Sequence, residues 1–126
     1  MSFTDTAETL VLSFLFTTGT ATRPTEWYLG LFTSAPGEAA GGTELSGDAY
    51  ARKAIAFTAT GNLATNSGNV EFDAATGDWG TVTHVAVFDA ATSGNMIAYA
   101  ALGTSKAIGT GDIFRIPTGD FDLTLT

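Results

Sequence analysis

The pattern of apolar and polar residues predicts one helix near the start of the chain. Asp5 and Glu8 have the spacing of a capping box, and apolar residues follow at helical spacing as far as Phe16. The predicted helix covers residues 5–16. Because Leu12 and Phe16 widen its apolar face, we expect the helix to pack against a sheet or a neighbouring subunit rather than to lie free in solvent.

The remainder of the chain has the alternation and the turn residues that are typical of short strands. The run 26–33 is apolar on both alternating faces and predicts a central strand. Further strands are predicted at residues 50–58, 70–72, 81–88, 96–102, 112–116 and 121–125. This order predicts a single, mainly β domain over residues 1–126: a small β-sandwich or open β-barrel of about seven to eight strands with one short N-terminal helix.

One long segment has no periodic pattern. Residues 34–48 read SAPGEAAGGTELSGD and are rich in glycine, alanine and turn-forming residues, which predicts a long surface loop. Loops of this length are uncommon in compact domains and are often functional. The loop is therefore a candidate contact element.

Composition excludes several classes of function. The 126 residues include thirteen acidic and five basic side chains, a net charge of −8, and nucleic acid is not expected as a partner because its phosphates are also negative. The absence of cysteine excludes disulfides and thiolate zinc sites. The apolar run from Leu10 to Phe16 is much shorter than the ~20 residues that span a bilayer, so no membrane partner is expected. Acidic residues near the start also argue against a secretory signal.

No arrangement of residues predicts catalysis. His84 is the sole histidine and is interpreted as a structural or interface residue, since no second histidine can join it as a metal ligand. The carboxylates in or beside turns lack the spacing of a calcium loop. Asp73, Asp78, Asp89 and Asp112 are interpreted as hydrogen-bond acceptors for turn backbone, and Asp120 and Asp122, which alternate around Phe121, as charges that keep an edge strand soluble. Neither a serine nucleophile elbow nor a phosphate-binding loop is present. We predict no enzyme activity, no metal and no cofactor.

Aromatic residues leave two interpretations open. A carbohydrate platform is one, and a buried core is the other and the favoured one. The residues concerned are Trp27, Tyr28, Trp79, Phe88 and Tyr99. Trp79 lies in a predicted turn and is the one expected to be most exposed.

The order of motifs resembles that of a family of small structural proteins of tailed bacteriophages. After the short helix come five matching stretches: WYLGLFTSAPGE (27–38), ELSGDAYARKAIAF (44–57), WGTVTHVAVFDA (79–90), SGNMI (93–97) and GTGD (109–112). Proteins of this kind are labelled head decoration (cement) proteins or tail-fibre-like proteins. The resemblance implies a small β-rich subunit of the virion, made in the cytoplasm of the bacterial host.

Within that resemblance, size favours a capsid decoration protein, since tail fibres are usually long and repetitive. The resemblance then implies a protein that binds the outer surface of the major capsid protein lattice, stabilises the head and forms homo-oligomers, which we predict to be trimers. The alternative is a tail-fibre-like or receptor-binding accessory protein of the tail. We predict partner contacts at Phe3, Ala35, Pro36, Gly37, Glu38 and Trp79.

Overall fold

The computed structural model describes residues 1–125, so that Thr126, the last residue of the predicted domain, lies outside the described residues. One helix, α1, covers Asp5–Phe16, which are the predicted bounds. The strands are β1 (Ser2–Phe3), β2 (Tyr28–Ser34), β3 (Thr43–Glu44), β4 (Lys53–Ala54), β5 (Phe57–Thr60), β6 (Leu63–Asn66), β7 (Val70–Glu71), β8 (Gly80–Phe88), β9 (Met96–Ile108), β10 (Arg115–Ile116) and β11 (Asp122–Thr124). The mainly β class is confirmed, and the described residues form several sheets and no closed barrel.

Three antiparallel sheets make up the fold. The largest has the strand order β1-β9-β8-β2-β3, and β4 also pairs with β2. The second consists of β11, β6 and β5 in that order, and the third of β10 and β7. The central pairs β2–β8 and β8–β9 are the longest ladders, so they form the framework on which the short strands and loops rest.

The main core lies on one face of the large sheet. Alternate residues of the central strands point into it, and both smaller sheets contribute to the same cluster, which includes Leu29, Leu31, Val85, Val87, Val70, Ile116 and Phe121. A second, smaller cluster occupies the opposite face and consists of Phe32, Ala86, Phe88 and Met96. The smaller sheets therefore cover one side of the large sheet, as burial of an apolar face requires.

A β-bulge changes which side chains share a face. The simple alternation of the sequence places Val82 on the same face as His84 and Phe88. In the structure the β8–β9 register shifts between Val82 and His84, and Val82 is fully buried in the main core with Val85. Between these two positions β8 advances by two residues and β9 by five, from Lys106 to Ala101, and the simple alternation is interrupted at this point.

Short strands also occur in segments that were not predicted as strands. β3 lies inside the predicted loop and pairs back onto β2, with Glu44 opposite Phe32. β6 lies between the predicted strands 50–58 and 70–72, and β9 continues to Ile108 rather than ending at residue 102. Short strands of this kind depend on partners that are distant in sequence, which periodicity does not report.

The N-cap of α1 is Thr4 and not Asp5. The hydroxyl of Thr4 accepts a hydrogen bond from the Ala7 amide at 3.3 Å and donates one to the Met96 carbonyl at 2.6 Å. Thr4 is buried. The side chain thus caps the helix and joins its first turn to the start of β9.

Candidate interaction surface

Two predicted contact elements meet at one end of the large sheet. Phe3 pairs opposite Ala98 in β9, so the N-terminal strand lies at the edge of the sheet. The next turn of chain reaches the long loop, where the amide of Asp5 donates to the carbonyl of Glu38 at 2.9 Å. We call the surface formed by residues 2–16 and 35–38 the N-terminal face.

The predicted contact residues of the N-terminal face differ in exposure. Ala35 and Glu38 are exposed, Phe3 and Gly37 are half-buried, and Pro36 is buried. Gly42 explains this local packing: a side chain there would stand 2.8 Å from the Pro36 nitrogen and 2.9 Å from the Ser34 carbonyl oxygen. The tip of the loop is a tight hairpin, in which the amides of Gly37 and Ala40 each donate to the carbonyl of the other at 2.9 Å.

Trp79 does not belong to this surface, and the exposure predicted for it is wrong. Its side chain is 6% exposed and lies in the main core. The indole Nε1 donates to the carbonyl of Asp48 at 2.9 Å, and the ring packs edge-on against Tyr50 with centroids 5.6 Å apart. A turn residue is buried here because its ring anchors the end of the long loop.

Helix α1 presents apolar side chains to solvent. Ala7 is its only buried residue. Large apolar side chains over the second half of the helix are exposed instead, with Leu12 at 58%, Phe14 at 66% and Phe16 at 77%. Within the described chain, the sheet leaves this part of the helix uncovered. Within residues 1–125, the sheet therefore does not provide the packing that was predicted for the apolar face of the helix.

A polar cluster around Arg52 attaches the long loop (residues 34–48) to the large sheet. Its guanidinium makes a two-pronged contact with Glu44, Nε to Oε2 and Nη2 to Oε1, both at 2.8 Å. Nη1 donates to the carbonyls of Ala90 at 3.0 Å and Ser93 at 2.8 Å, and the planar group lies 3.4 Å above the Phe88 ring. One buried cation therefore ties together two loops and the central strand.

Tyr50 completes this cluster. Its hydroxyl donates to Glu44 Oε2 at 2.7 Å and accepts a hydrogen bond from the Leu31 amide at 3.0 Å. Burial, and secondly the hydrogen bond to Glu44, raise the pKa of the Tyr50 phenol far above its ordinary value. Gly30 makes room for the group, because a side chain there would stand 2.8 Å from Glu44 Oε2.

The raised pKa of Tyr50 predicts a loss of stability in alkali. The phenol of the unfolded chain ionises near pH ~10, whereas that of the folded chain stays protonated. Its contribution is therefore fully present below pH ~10 and is lost as pH rises above it, with a slope of at most about 1.4 kcal/mol per pH unit. Urea unfolding from pH 8 to pH 11 measures the slope. We expect Tyr50→Phe to make it shallower, and an unchanged slope would contradict the assignment.

The residues considered for catalysis or metal binding have local partners in the fold. Oγ1 of Thr83 lies 2.8 Å from Nδ1 of His84. Most of the turn carboxylates bond to nearby backbone or to a lysine: Asp78 to the Gly80 amide at 2.8 Å, Asp89 to the Asn95 amide at 2.7 Å, Asp112 to the Gly109 amide at 2.8 Å and Asp73 to Lys53 Nζ at 3.0 Å. Over residues 1–125, no group of three or more His, Cys, Asp or Glu side chains is placed to hold a metal ion.

The five aromatic residues considered as a carbohydrate platform do not form one surface. Trp79 and Phe88 are buried in different clusters. Trp27 and Tyr28 are half-buried and line an open cleft of about 520 Å³ together with the turn at residues 67–70. The favoured interpretation as core residues is correct for Trp79 and Phe88.

Comparison with known proteins identifies one family. The family model described as podophage GP4 fiber I protein gp80 matches residues 2–124, from β1 through β11. A search of curated proteins finds no match. None of the helices in residues 1–125 has the length and apolar character that crossing a bilayer requires.

Proposed function

Because this chain belongs to the podophage GP4 fiber I protein gp80 family, we propose that it is a structural subunit of a fibre on a podophage virion. The match over residues 2–124 carries this proposal, since it includes every strand and the helix. In this role the chain acts by binding other virion proteins, or a receptor, through its surface and has no catalytic activity.

The family description favours the tail-fibre alternative over capsid decoration. The preference for decoration rested on the small size of the domain, and size does not separate a decoration protein from one module of a fibre. Virion membership and the β-rich fold are common to both. The major capsid protein as partner remains a prediction.

The N-terminal face supports an assembly role. An exposed apolar helix, a sheet edge and an ordered hairpin lie side by side there, and exposed apolar patches on small domains mark interaction sites. The three charged side chains of this face, Asp5, Glu8 and Glu38, lie in the first turn of α1 and on the hairpin, so the second half of the helix carries no charge, which is the composition of interface centres.

Immunogold electron microscopy of intact virions tests the location. We expect antibodies raised against the purified chain to label fibres at the tail and to leave the head shell unlabelled. Antibodies preabsorbed with the purified chain provide the control. Label spread over the head shell would overturn the fibre proposal and favour the decoration protein.

A further inference from the structure

The exposed apolar side chains of α1 lie close together in the second half of the helix. Large apolar side chains are exposed at nine positions of residues 1–125, and five of these lie between residues 11 and 16: Val11, Leu12, Phe14, Leu15 and Phe16. A helix of twelve residues has little stability of its own in water and depends on packing of an apolar face. Since Ala7 alone is buried, that packing has to come from outside the chain.

The area of this surface reaches the scale of an interface. A phenylalanine side chain buries roughly 150–250 Å², so Phe14 and Phe16, at 66% and 77% exposure, present roughly 300 Å². The three aliphatic side chains bring the exposed apolar area to roughly 500 Å² per copy. Val11, Leu12, Leu15 and Phe16, which share one face of the helix, supply roughly 350 Å² of it. A standard interface buries ~800 Å² per partner. The helix therefore supplies an apolar centre, and the threonine-rich segment after it supplies a rim.

Charge favours a second copy of the same chain as the occupant. The chain carries a net charge of −8, so identical copies repel each other over most of their surface. Residues 9–22 form a run of fourteen without an ionisable side chain. Two copies that meet through this run place no like charges in contact at its centre.

The two ends of the uncharged run carry opposite charges. Asp5 and Glu8 lie in the first turn of α1. Arg23 lies beside the middle and later turns, where it lines an apolar cleft of about 320 Å³ with Leu10, Val11, Phe14 and Leu15. In an antiparallel pair, Arg23 of each copy approaches Glu8 of the other, whereas a parallel arrangement brings the acidic turns together. The cleft holds about ten times the ~30 Å³ of one water molecule, enough for a side chain of the other copy.

We propose that two copies of this chain associate through α1, with the helices antiparallel about a two-fold axis and the side chains of Val11, Leu12, Leu15 and Phe16 buried between them. Such an interface is isologous, so each contact occurs twice. The pairing is a property of the chain itself and does not depend on where in the virion the protein lies.

Light scattering coupled to gel filtration tests the association. We expect the full chain at tens of micromolar to have twice its mass of 12.9 kDa. We expect the double variant Leu12→Glu/Leu15→Glu to run as a monomer, because the dissociation constant of its dimer is raised about 100-fold or more. The variant should keep the near-ultraviolet circular dichroism of the wild type. Ile113→Glu, at a position that is 53% exposed outside the helix, is the matched control and should stay dimeric.

Three results overturn the proposal: a monomeric wild type, a trimeric wild type, or a dimer that persists in Leu12→Glu/Leu15→Glu. A monomeric wild type that floats with phosphatidylglycerol vesicles would assign the helix to a lipid surface instead.

A charge exchange tests the antiparallel geometry. We expect Glu8→Arg and Arg23→Glu to weaken the dimer about two- to fivefold each, the range of an exposed ion pair. The double variant restores the pair with its charges reversed and should recover the affinity of the wild type. A double variant weaker than either single variant would exclude the antiparallel arrangement.

Discussion

Replacement of Arg52 by alanine is expected to lower the free energy of unfolding by about 3 kcal/mol, the lower end of the cost of breaking a buried ion pair from one side, because the Glu44 side chain is 24% exposed. The Arg52 side chain is 9% exposed, and its loss leaves the Glu44 carboxylate without its charge partner. The carbonyls of Ala90 and Ser93 lose their donors in the same step. Denaturant unfolding of the purified variant measures the change.

Lys53 is the matched control because it is the adjacent residue and also pairs with a carboxylate. Its Nζ lies 3.0 Å from Asp73, in a pair whose side chains are 31% and 66% exposed. An exposed pair contributes about 0–1 kcal/mol, so Lys53→Ala should unfold at almost the same denaturant concentration as the wild type. Equal losses in Arg52→Ala and Lys53→Ala would contradict the structural role of the Arg52 cluster.

Replacement of Asn66 by alanine is the second change with a large expected effect. Asn66 is 1% exposed, and its amide donates to the carbonyls of Gly68 at 2.8 Å and Pro117 at 2.9 Å. Its Oδ1 accepts from the Phe121 amide at 2.8 Å. Three backbone groups lose their partner together, at about 1–3 kcal/mol for each that stays buried, so we expect a loss of about 3–5 kcal/mol.

Asn69→Ala is the matched control, because Asn69 lies in the same turn as Asn66 but is exposed. Its Oδ1 accepts from the amide and hydroxyl of Thr118, in an exposed position. Water can replace these bonds, so Asn69→Ala should cost no more than about 1 kcal/mol. If urea unfolding gave similar losses for Asn66→Ala and Asn69→Ala, burial would not be the source of the effect.

The local pattern of the sequence predicted the helix well. The bounds of α1 follow from apolar residues at successive turns, and the structure begins and ends the helix at Asp5 and Phe16 as predicted. The cap was misplaced because Thr4 is fixed by the Met96 carbonyl, 92 residues away. Contacts across the chain decide such a residue, and a single sequence does not display them.

Two of the segments predicted to contact a partner are neighbours in the fold, and their role as contacts remains a prediction. The segments around Phe3 and Glu38 lie together, joined by the bond between Asp5 and Glu38. Trp79 was misplaced because turn residues are usually exposed, and its hydrogen bond to the Asp48 carbonyl becomes visible only in the fold. The exposure of α1 has the same origin: periodicity predicts an apolar face but does not identify what covers it.

The pairing of β1 with β9 also sets the order of events on the ribosome. Ser2 pairs opposite Tyr99, so the start of the chain cannot dock until residue 99 has been synthesised and has left the exit tunnel. At ~5–20 residues per second, synthesis of the intervening chain takes roughly 5–20 s. During this time α1 is attached to no folded body. The apolar side chains of residues 11–16 stay uncovered during this time, so they can meet those of another nascent copy on the same messenger RNA, and the helix can form as the two segments pack together.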